Sequence, residues 1–315
     1  VALAGTFNLD TLLHGSVEAP QATVAVGGLC YSLLALARLL PGERLLPLAW
    51  LAAEDAPHFA PVLASTGCAV EGLCAVAGRG NHITLDCRRP DKPEVAELRL
   101  PPLAGEQLEG GLACPRFLLN CCSGRDVALE TWRSFREEWR RRHPGGWLQL
   151  DWHSLSLDWR EGRPRRLRQV PRAFDWVQDL DLLQMTLFEA GSLTGRPPRR
   201  LEDAADLVLR LRKAGCRRIV VTAGAAGLLF ADGSGLRRQA AWPPSQVRDT
   251  TGCGDVLGAA LLATLGRGWP VEDALPLAAR MAGLACAGVG LAKLDALSPV
   301  DDHRPATKGK REGAS

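Results

Sequence analysis

The chain has 315 residues, with 38 Lys+Arg against 35 Asp+Glu and a formal charge of +3. That balance argues against a dedicated nucleic-acid binder or a protein driven by a highly charged tail. With 46% apolar and 23% charged residues it is globular with ample material for a core. No stretch reaches the roughly 18 uninterrupted apolar residues of a membrane span, and residues 1–15 lack the basic-then-apolar layout of a signal peptide, so a cytoplasmic protein with no membrane partner is expected. The ten cysteines show no CxxC pair or Cys/His cluster of metal spacing. They are expected to be reduced and mostly buried small hydrophobes.

Residues 1–5 form a short apolar run ending in Gly5, followed by Asn8, Leu9 and Asp10. This predicts a buried strand that delivers polar groups at its carboxyl end. The pair Gly27 and Gly28 precedes a Leu- and Ala-rich run at 29–40 with no breaker before Pro41, which predicts a helix with an open entrance. Residues 45–53 read as a strand and 56–65 as a helix. The block from about 70 to 110 differs in texture. Its segments 70–76, 82–87 and 95–100 are short and partly alternating, and predict hairpin strands of a lid or small sheet near a site.

Residues 117–120 are a predicted strand. Within 126–142, Val127, Trp132, Phe135 and Trp139 recur at near-helical spacing, so the aromatic stripe is expected in the core. The arginines that continue through Arg163, Arg165 and Arg166 alternate with Glu137, Glu138, Asp158 and Glu161 and are expected on a solvated face. His153 is expected as a surface or capping residue. Strands follow at 147–151, 180–185 and 218–222, with a helix at 202–214 ended by Gly215. Residues 228–231 with Asp232 and Gly233 signal a hairpin, and 254–266 and 271–289 two more helices. Strand and helix alternate at crossover lengths, which predicts a layered α/β fold with a mostly parallel sheet. Residues 301–315 lack apolar periodicity and are expected as a flexible tail.

The strongest local signal is Arg248-Asp249-Thr250-Thr251-Gly252-Cys253-Gly254-Asp255, followed at once by a helical run. Gly252 and Gly254 let the backbone curl so that successive N–H groups converge, and the helix adds its positive end, which makes an anion hole. Asp255 falls in the first turn of that helix, where a base accepting a proton from an attacking hydroxyl is needed. The plain alternative is that Asp255 caps the helix and the glycines only turn the chain.

With its flanks, the segment 249–259 resembles the carboxyl-terminal signature of the PfkB, or ribokinase-like, carbohydrate kinase family. Its usual form is Asp-Thr-Thr-Gly-Ala-Gly-Asp-x-Phe-x-Gly-Ala; Cys253 stands for Ala, Leu257 for Phe, and Gly258 and Ala259 match. Other landmarks follow in family order. Residues 5–10 look like the opening strand with its sugar-contacting Asp, Gly27 and Gly28 like the Gly-Gly signature, and Asp55 like the acid of the early Gly-x-Asp stretch. Glu189 and Ala190 resemble the end of the Asn-x-x-Glu segment, residues 222–227 the nucleotide-binding loop, and Gly290 the Gly that closes over adenine.

The resemblance implies a three-layer α/β/α sandwich over residues 1–300, with a β lid from about 10–25 and 70–110 and a tail at 301–315. It implies an ATP-dependent kinase acting on a hydroxyl of a sugar, sugar derivative or nucleoside. Asp255 would be the base, and Gly252, Cys253 and Gly254 the anion hole. Asp10, Gly27, Gly28 and Ser32 would meet the substrate, and Thr222, Gly224, Gly227 and Gly290 the nucleotide. Glu189 would organise Mg²⁺ through water. Asp249 and Thr251 would form a monovalent-cation site for K⁺, and a homodimer would join through the lid. Two positions depart from the pattern: Ser32 and Thr186 stand where the family has Asn, and a hydroxyl lacks the two-ended amide. The alternative they motivate is a catalytically weakened nucleotide- or sugar-binding protein. A dinucleotide oxidoreductase is excluded, because no Gly-x-Gly-x-x-Gly follows the first strand.

Overall fold

The computed structural model describes residues 1–16, 18–89 and 93–304. In chain order its elements are β1 (Ala2–Ala4), β2 (Phe7–Gly15), β3 (Pro20–Gly28), α1 (Leu29–Leu39), β4 (Leu46–Ala52), α2 (Ala56–Thr66), β5 (Leu73–Val76), β6 (Asn81–Asp86), β7 (Glu94–Glu97) and α3 (Gly105–Leu108). Then come β8 (Arg116–Asn120), α4 (Leu129–Arg142), β9 (Trp147–Asp151), α5 (Ala173–Trp176), β10 (Leu182–Thr186), α6 (Leu187–Thr194) and α7 (Ala205–Lys213). The last are β11 (Ile219–Thr222), β12 (Leu228–Asp232), β13 (Gly235–Gln239), α8 (Cys253–Thr264) and α9 (Val271–Cys286).

Nine strands form the large sheet in the order β13-β12-β11-β10-β9-β8-β1-β4-β5. Every pairing from β11 to β5 is parallel, and β12 and β13 add antiparallel at one edge. Strand alternation turns this sheet into the middle of three layers. Leu3, Leu118 and Val220 face the side packed by α1, α8 and α9. Their neighbours Ala2, Ala4, Phe117, Leu119, Ile219 and Val221 face the side packed by α4 and α7. The mostly parallel α/β architecture expected from the alternation of elements is therefore observed.

The aromatic stripe lies in the second layer as expected. Phe117 and Phe135 meet at a tilt with ring centroids 4.5 Å apart, and Trp132 and Phe135 stack at 5.9 Å. The indole N–H of Trp132 donates to the Trp176 carbonyl and that of Trp139 to the Cys114 carbonyl, each at 3.0 Å. Both large rings are thus buried without leaving a donor unpaired. Helix α8 is buried from Asp255 to Thr264. Gly258 lets it approach the sheet closely: the Gln149 amide donates to the Gly258 carbonyl at 2.9 Å, and a β-carbon there would lie 3.1 Å from Gln184 Oε1.

A second sheet, in the order β3-β2-β6-β7, stands beside the large one. Asn8 and Asp10, expected at the carboxyl end of the first strand, lie on β2 of this small sheet. Strand β3 runs directly into α1 at Gly28. Asp55 fixes the entry to β6 by accepting the Gly80 N–H at 2.6 Å. Within the expected lid block one segment differs: β5 pairs parallel with β4 at the edge of the large sheet, because its partly buried residues complete that layer. Another departure is Arg165, expected in solvent. Its side chain is 1% exposed and bonds Glu94 Oε1 at 2.8 Å and the carbonyls of Ser123 and Ser154 at 2.9 and 3.3 Å, while Arg163 and Arg166 are exposed. The expected tail begins in order, with Val300 buried at the start of a helical turn over Val300–His303; residues 305–315 lie outside the described residues. Among the described residues no helix is long and apolar enough to cross a membrane.

Candidate active site

Parallel strands deliver their carboxyl ends to one edge of a sheet, where ligands of open α/β folds bind. Here that edge carries a row of polar residues in register. Asn120 at the end of β8 pairs beside Asp151 at the end of β9, and Asp151 beside Gln184 of β10. Over this row stands the amino terminus of α8. Gly252 precedes it with φ 75°, a left-handed conformation, and a β-carbon at Gly252 would lie 2.2 Å from the Tyr31 ring. Only glycine meets both demands. The N–H groups of Gly252 and Gly254 belong to this first turn, a place suited to an anion, while that of Cys253 donates to the Thr250 carbonyl at 3.2 Å.

Asp255 is 8% exposed. The Asn120 amide donates to its Oδ1 at 2.6 Å, and the Ser32 hydroxyl donates to the same oxygen at 3.0 Å. Asn120 also donates to Ser32 Oγ at 3.0 Å, closing a triangle. Ser32, expected at the substrate, lies against the Asp255 carboxylate, and Asn120 brings an amide to the same oxygen from β8. Sequence reasoning missed Asn120. Its one signal was a polar residue ending an apolar strand.

Asp255 opens onto a cavity of about 250 Å³, also lined by Asn8, Asp10, Gly28, His153 and Thr251. Gly27 makes room for Asp10: a β-carbon there would lie 2.0 Å from Asp10 Oδ2. Gly28 has φ 60° and would place a β-carbon 2.2 Å from the Thr6 carbonyl oxygen. Burial, reinforced by the Glu94 carboxylate, pushes the Asp10 carboxyl up to about 8. His153, expected at the surface, lines this cavity with φ 36° and with its Nδ1 2.9 Å from Ser154 Oγ. Burial disfavours its imidazolium, but the carboxylates of Asp151, Asp255 and Glu189 outweigh burial and raise its pKa. Three buried side-chain carbonyl oxygens at this edge, Asn8 Oδ1, Asn120 Oδ1 and Gln184 Oε1, have no hydrogen-bond partner. Orphaned acceptors of this kind mark a place where a ligand donor is expected.

Thr186 caps α6: its hydroxyl accepts the Glu189 N–H at 3.1 Å and Glu189 Oε2 accepts the Thr186 N–H at 2.8 Å. Among the described residues no group of three or more His, Cys, Asp or Glu is placed to hold a metal directly. The four positions expected at the nucleotide do not line the cavity. Thr222 ends β11 in register with Thr186, and Gly224 opens a turn with free space around it at φ 54°. Gly227 packs against the Gln239 carbonyl, where a β-carbon would lie at 2.2 Å, and Gly290 donates its N–H to Asp249 Oδ2 at 3.1 Å.

Asp249 and Thr251 come together as expected, with Asp249 Oδ1 accepting the Thr251 N–H at 2.8 Å. The cation between them is the ammonium of Lys293, which donates to Asp249 Oδ2 at 3.0 Å, to the Asp249 carbonyl at 3.2 Å and to the Thr251 carbonyl. Burial acts to raise the Asp249 carboxyl, and the Thr251 N–H and Lys293 outweigh it and hold the carboxyl below its ordinary value. Nothing in the sequence patterning singled out Lys293. Of the cysteines, Cys30, Cys114, Cys121, Cys122 and Cys216 are buried as expected, while Cys253 and Cys286 meet at 3.0 Å between sulfurs beside this loop.

Residues 164–296 match the family model for pfkB family carbohydrate kinases, which bears out the resemblance read from the motifs. A ribokinase of Arabidopsis thaliana is 33% identical over 116 residues, a stretch that is 36% of this chain and 31% of that protein. The sequence match thus spans about a third of that relative's length. Two solved structures share the fold across nearly the whole chain. One is the Arabidopsis thaliana ribokinase complexed with ribose and ATP, with TM-score 0.71 and 17% identity over 96% of each chain. The other is a pyrophosphate-dependent kinase in the ribokinase family complexed with a pyrophosphate analog and myo-inositol. Its TM-score is 0.72, with 19% identity over 94% of this chain and 99% of the other.

Proposed function

We propose that this chain is an ATP-dependent kinase that phosphorylates a hydroxyl of a neutral sugar, sugar derivative or nucleoside. The observation that carries the reading is the placement of Asp255: a carboxylate at the amino terminus of α8, fixed on Oδ1 by Asn120 and Ser32, facing a cavity also lined by Asn8, Asp10 and His153. With Oδ1 engaged, Oδ2 is the oxygen that takes the proton from the acceptor hydroxyl. The acceptor oxygen attacks the terminal phosphorus, the bond to the bridging oxygen breaks, and ADP leaves. The N–H groups of Gly252 and Gly254, with that of Cys253 shared with the Thr250 carbonyl, stabilise charge on the transferring phosphoryl oxygens. Glu189 would help hold a hydrated Mg²⁺ that enters with the nucleotide, and that ion would supply neutralisation of phosphate charge. Thr222, Gly224, Gly227 and Gly290 are proposed to hold the nucleotide.

The cavity also narrows the acceptor. At about 250 Å³ it is below the roughly 300–1,000 Å³ of pockets for drug-sized ligands, which favours one sugar unit. Glu94 and Asp255 on its wall disfavour an acceptor that already carries a phosphate. The unpartnered Asn8 Oδ1 accepts from an acceptor hydroxyl. The homodimer expected from the family is proposed to form through the small sheet, and solution mass tests it.

The kinase reading is tested by ADP or phosphate release across a panel of sugars, sugar acids and nucleosides, with ATP and with pyrophosphate as donor and Asp255→Asn as the blank. Acceptor-dependent ADP release that vanishes in the variant is the expected result. Release from pyrophosphate alone would move the donor assignment. Silence with both donors, with nucleotide still bound, would favour the binding-protein reading.

A further inference from the structure

We propose that Lys293 supplies, as a tethered ammonium, the positive charge that the family resemblance assigns to K⁺ at Asp249 and Thr251, so that the anion-hole loop is positioned without an exchangeable ion. The activity arm of this inference rests on the kinase reading above.

The geometry is that of an occupied cation site. An ammonium has three N–H donors and no acceptor. Lys293 finds three oxygens: Asp249 Oδ2, the Asp249 carbonyl and the Thr251 carbonyl. Its side chain is 0% exposed and that of Asp249 13%. Two of the three acceptors are backbone carbonyls of the loop that immediately precedes Gly252. The charge is therefore tied to the backbone whose next N–H groups make the anion hole. Asp249 Oδ2 also takes the Gly290 N–H at 3.1 Å, which ties the turn before Lys293 to the same carboxylate. Below the ammonium lies the Tyr31 ring, 5.5 Å from its centroid, a favourable cation–π placement. That same ring fills the space that a β-carbon at Gly252 would need.

These residues do not fit a second cation. The oxygens that would ligate K⁺ already accept from Lys293, and an ion among them would meet the ammonium at contact distance in a site shielded from water. Lys293 is thus a positioning residue: it acts through the loop and does not reach the reacting atoms.

The experiment measures turnover of the unmodified chain in choline chloride, NaCl and KCl at a constant ionic strength of roughly 0.1 M, so that general screening is equal in all three. Wild-type turnover is expected to be the same in each salt. Lys293→Ala is expected to fall about tenfold or more in choline, the scale of losing a set of charge-assisted hydrogen bonds. KCl or ammonium chloride restores much of that loss. Thermal unfolding provides a readout independent of activity: KCl raises the Tm of Lys293→Ala and leaves that of the wild type unchanged relative to choline. Lys293→Ser serves the same purpose if the Ala variant is insoluble. Activation of the wild type by KCl, or a Lys293→Ala variant equal to wild type in choline, overturns the inference. Absence of turnover with every acceptor and donor overturns the kinase reading instead, and the unfolding series then decides the role of Lys293.

Discussion

Asn120 Nδ2 lies 2.6 Å from Asp255 Oδ1, although the two residues are 135 positions apart. The contact joins the carboxyl end of a central strand to the first turn of a buried helix, and it fixes which oxygen of the carboxylate is free. A base held by one oxygen has a defined approach line for the hydroxyl it serves.

Asp255→Asn is expected to lower kcat by about 10²-fold or more, the scale of general-base loss, with ATP affinity nearly unchanged. Asn120→Ala is expected to lower kcat by about tenfold while the KM for ATP stays within twofold, because it loosens the base without touching the donor. Steady-state kinetics on both variants check this. An Asn120→Ala enzyme with normal kcat would remove the positioning role.

Asp10 gives stability a pH dependence of known sign. Its folded-state carboxyl is raised to about 8 by burial and by Glu94, against an ordinary value of 3.8. Between those values the folded chain keeps a proton that the unfolded chain has released. Its contribution is complete below the unfolded value and is lost as pH rises through about 8. Wild-type stability is expected to decline between pH 5 and about 8, and Asp10→Asn to decline less. Urea unfolding of both proteins at the two ends of that window measures the difference; equal slopes would show that Asp10 is ionised throughout.

Gly252→Ala tests the left-handed turn before α8. At φ 75° an L side chain carries strain of about 1–3 kcal/mol, and its β-carbon would also meet the Tyr31 ring at 2.2 Å. The variant is expected to lose turnover by at least tenfold and to unfold at lower temperature. Thermal melts and kcat together read both effects.

Arg165→Met removes the guanidinium that ties Glu94 of β7 to the carbonyls of Ser123 and Ser154. Glu94 lines the cavity, so the expected effect is a several-fold rise in acceptor KM with little change in the KM for ATP. Those two carbonyls also lose a charged donor, and stability is expected to fall by about 1–3 kcal/mol. An unchanged acceptor KM would confine Arg165 to folding.

What was legible in the sequence was what is local. The β-branched run at β11, the aromatic stripe of α4 and the Gly252–Asp255 turn each carry their signal within a few residues, so strand, helix and turn are legible in place. Contacts made by the third dimension were not. Asn120 reaches Asp255 across 135 positions and Lys293 reaches Asp249 across 44, and neither residue type is unusual where it stands. Arg165 shows why composition misled: three neighbouring arginines look alike as a charge run, and only the approach of β7 buries one of them. His153 was read as a surface residue because its own neighbours are unremarkable, whereas its surroundings come from Asp151, Glu189 and Asp255 on three separate elements.

The nine-residue strand β2 has a consequence for turnover. It carries Asn8 and Asp10 in the small sheet, while Asp255 belongs to a helix packed on the large one. The walls of one cavity are therefore shared between two sheets, which the chain joins at Thr6, at Gly28 and again at the ends of β6 and β7. Under the proposed kinase reading, a swing of the small sheet would change the distance between the groups that grip the acceptor and the group that deprotonates it. Admission of water to the base and loss of the acceptor would then be a single event, and the same movement that releases product would guard the donor against hydrolysis.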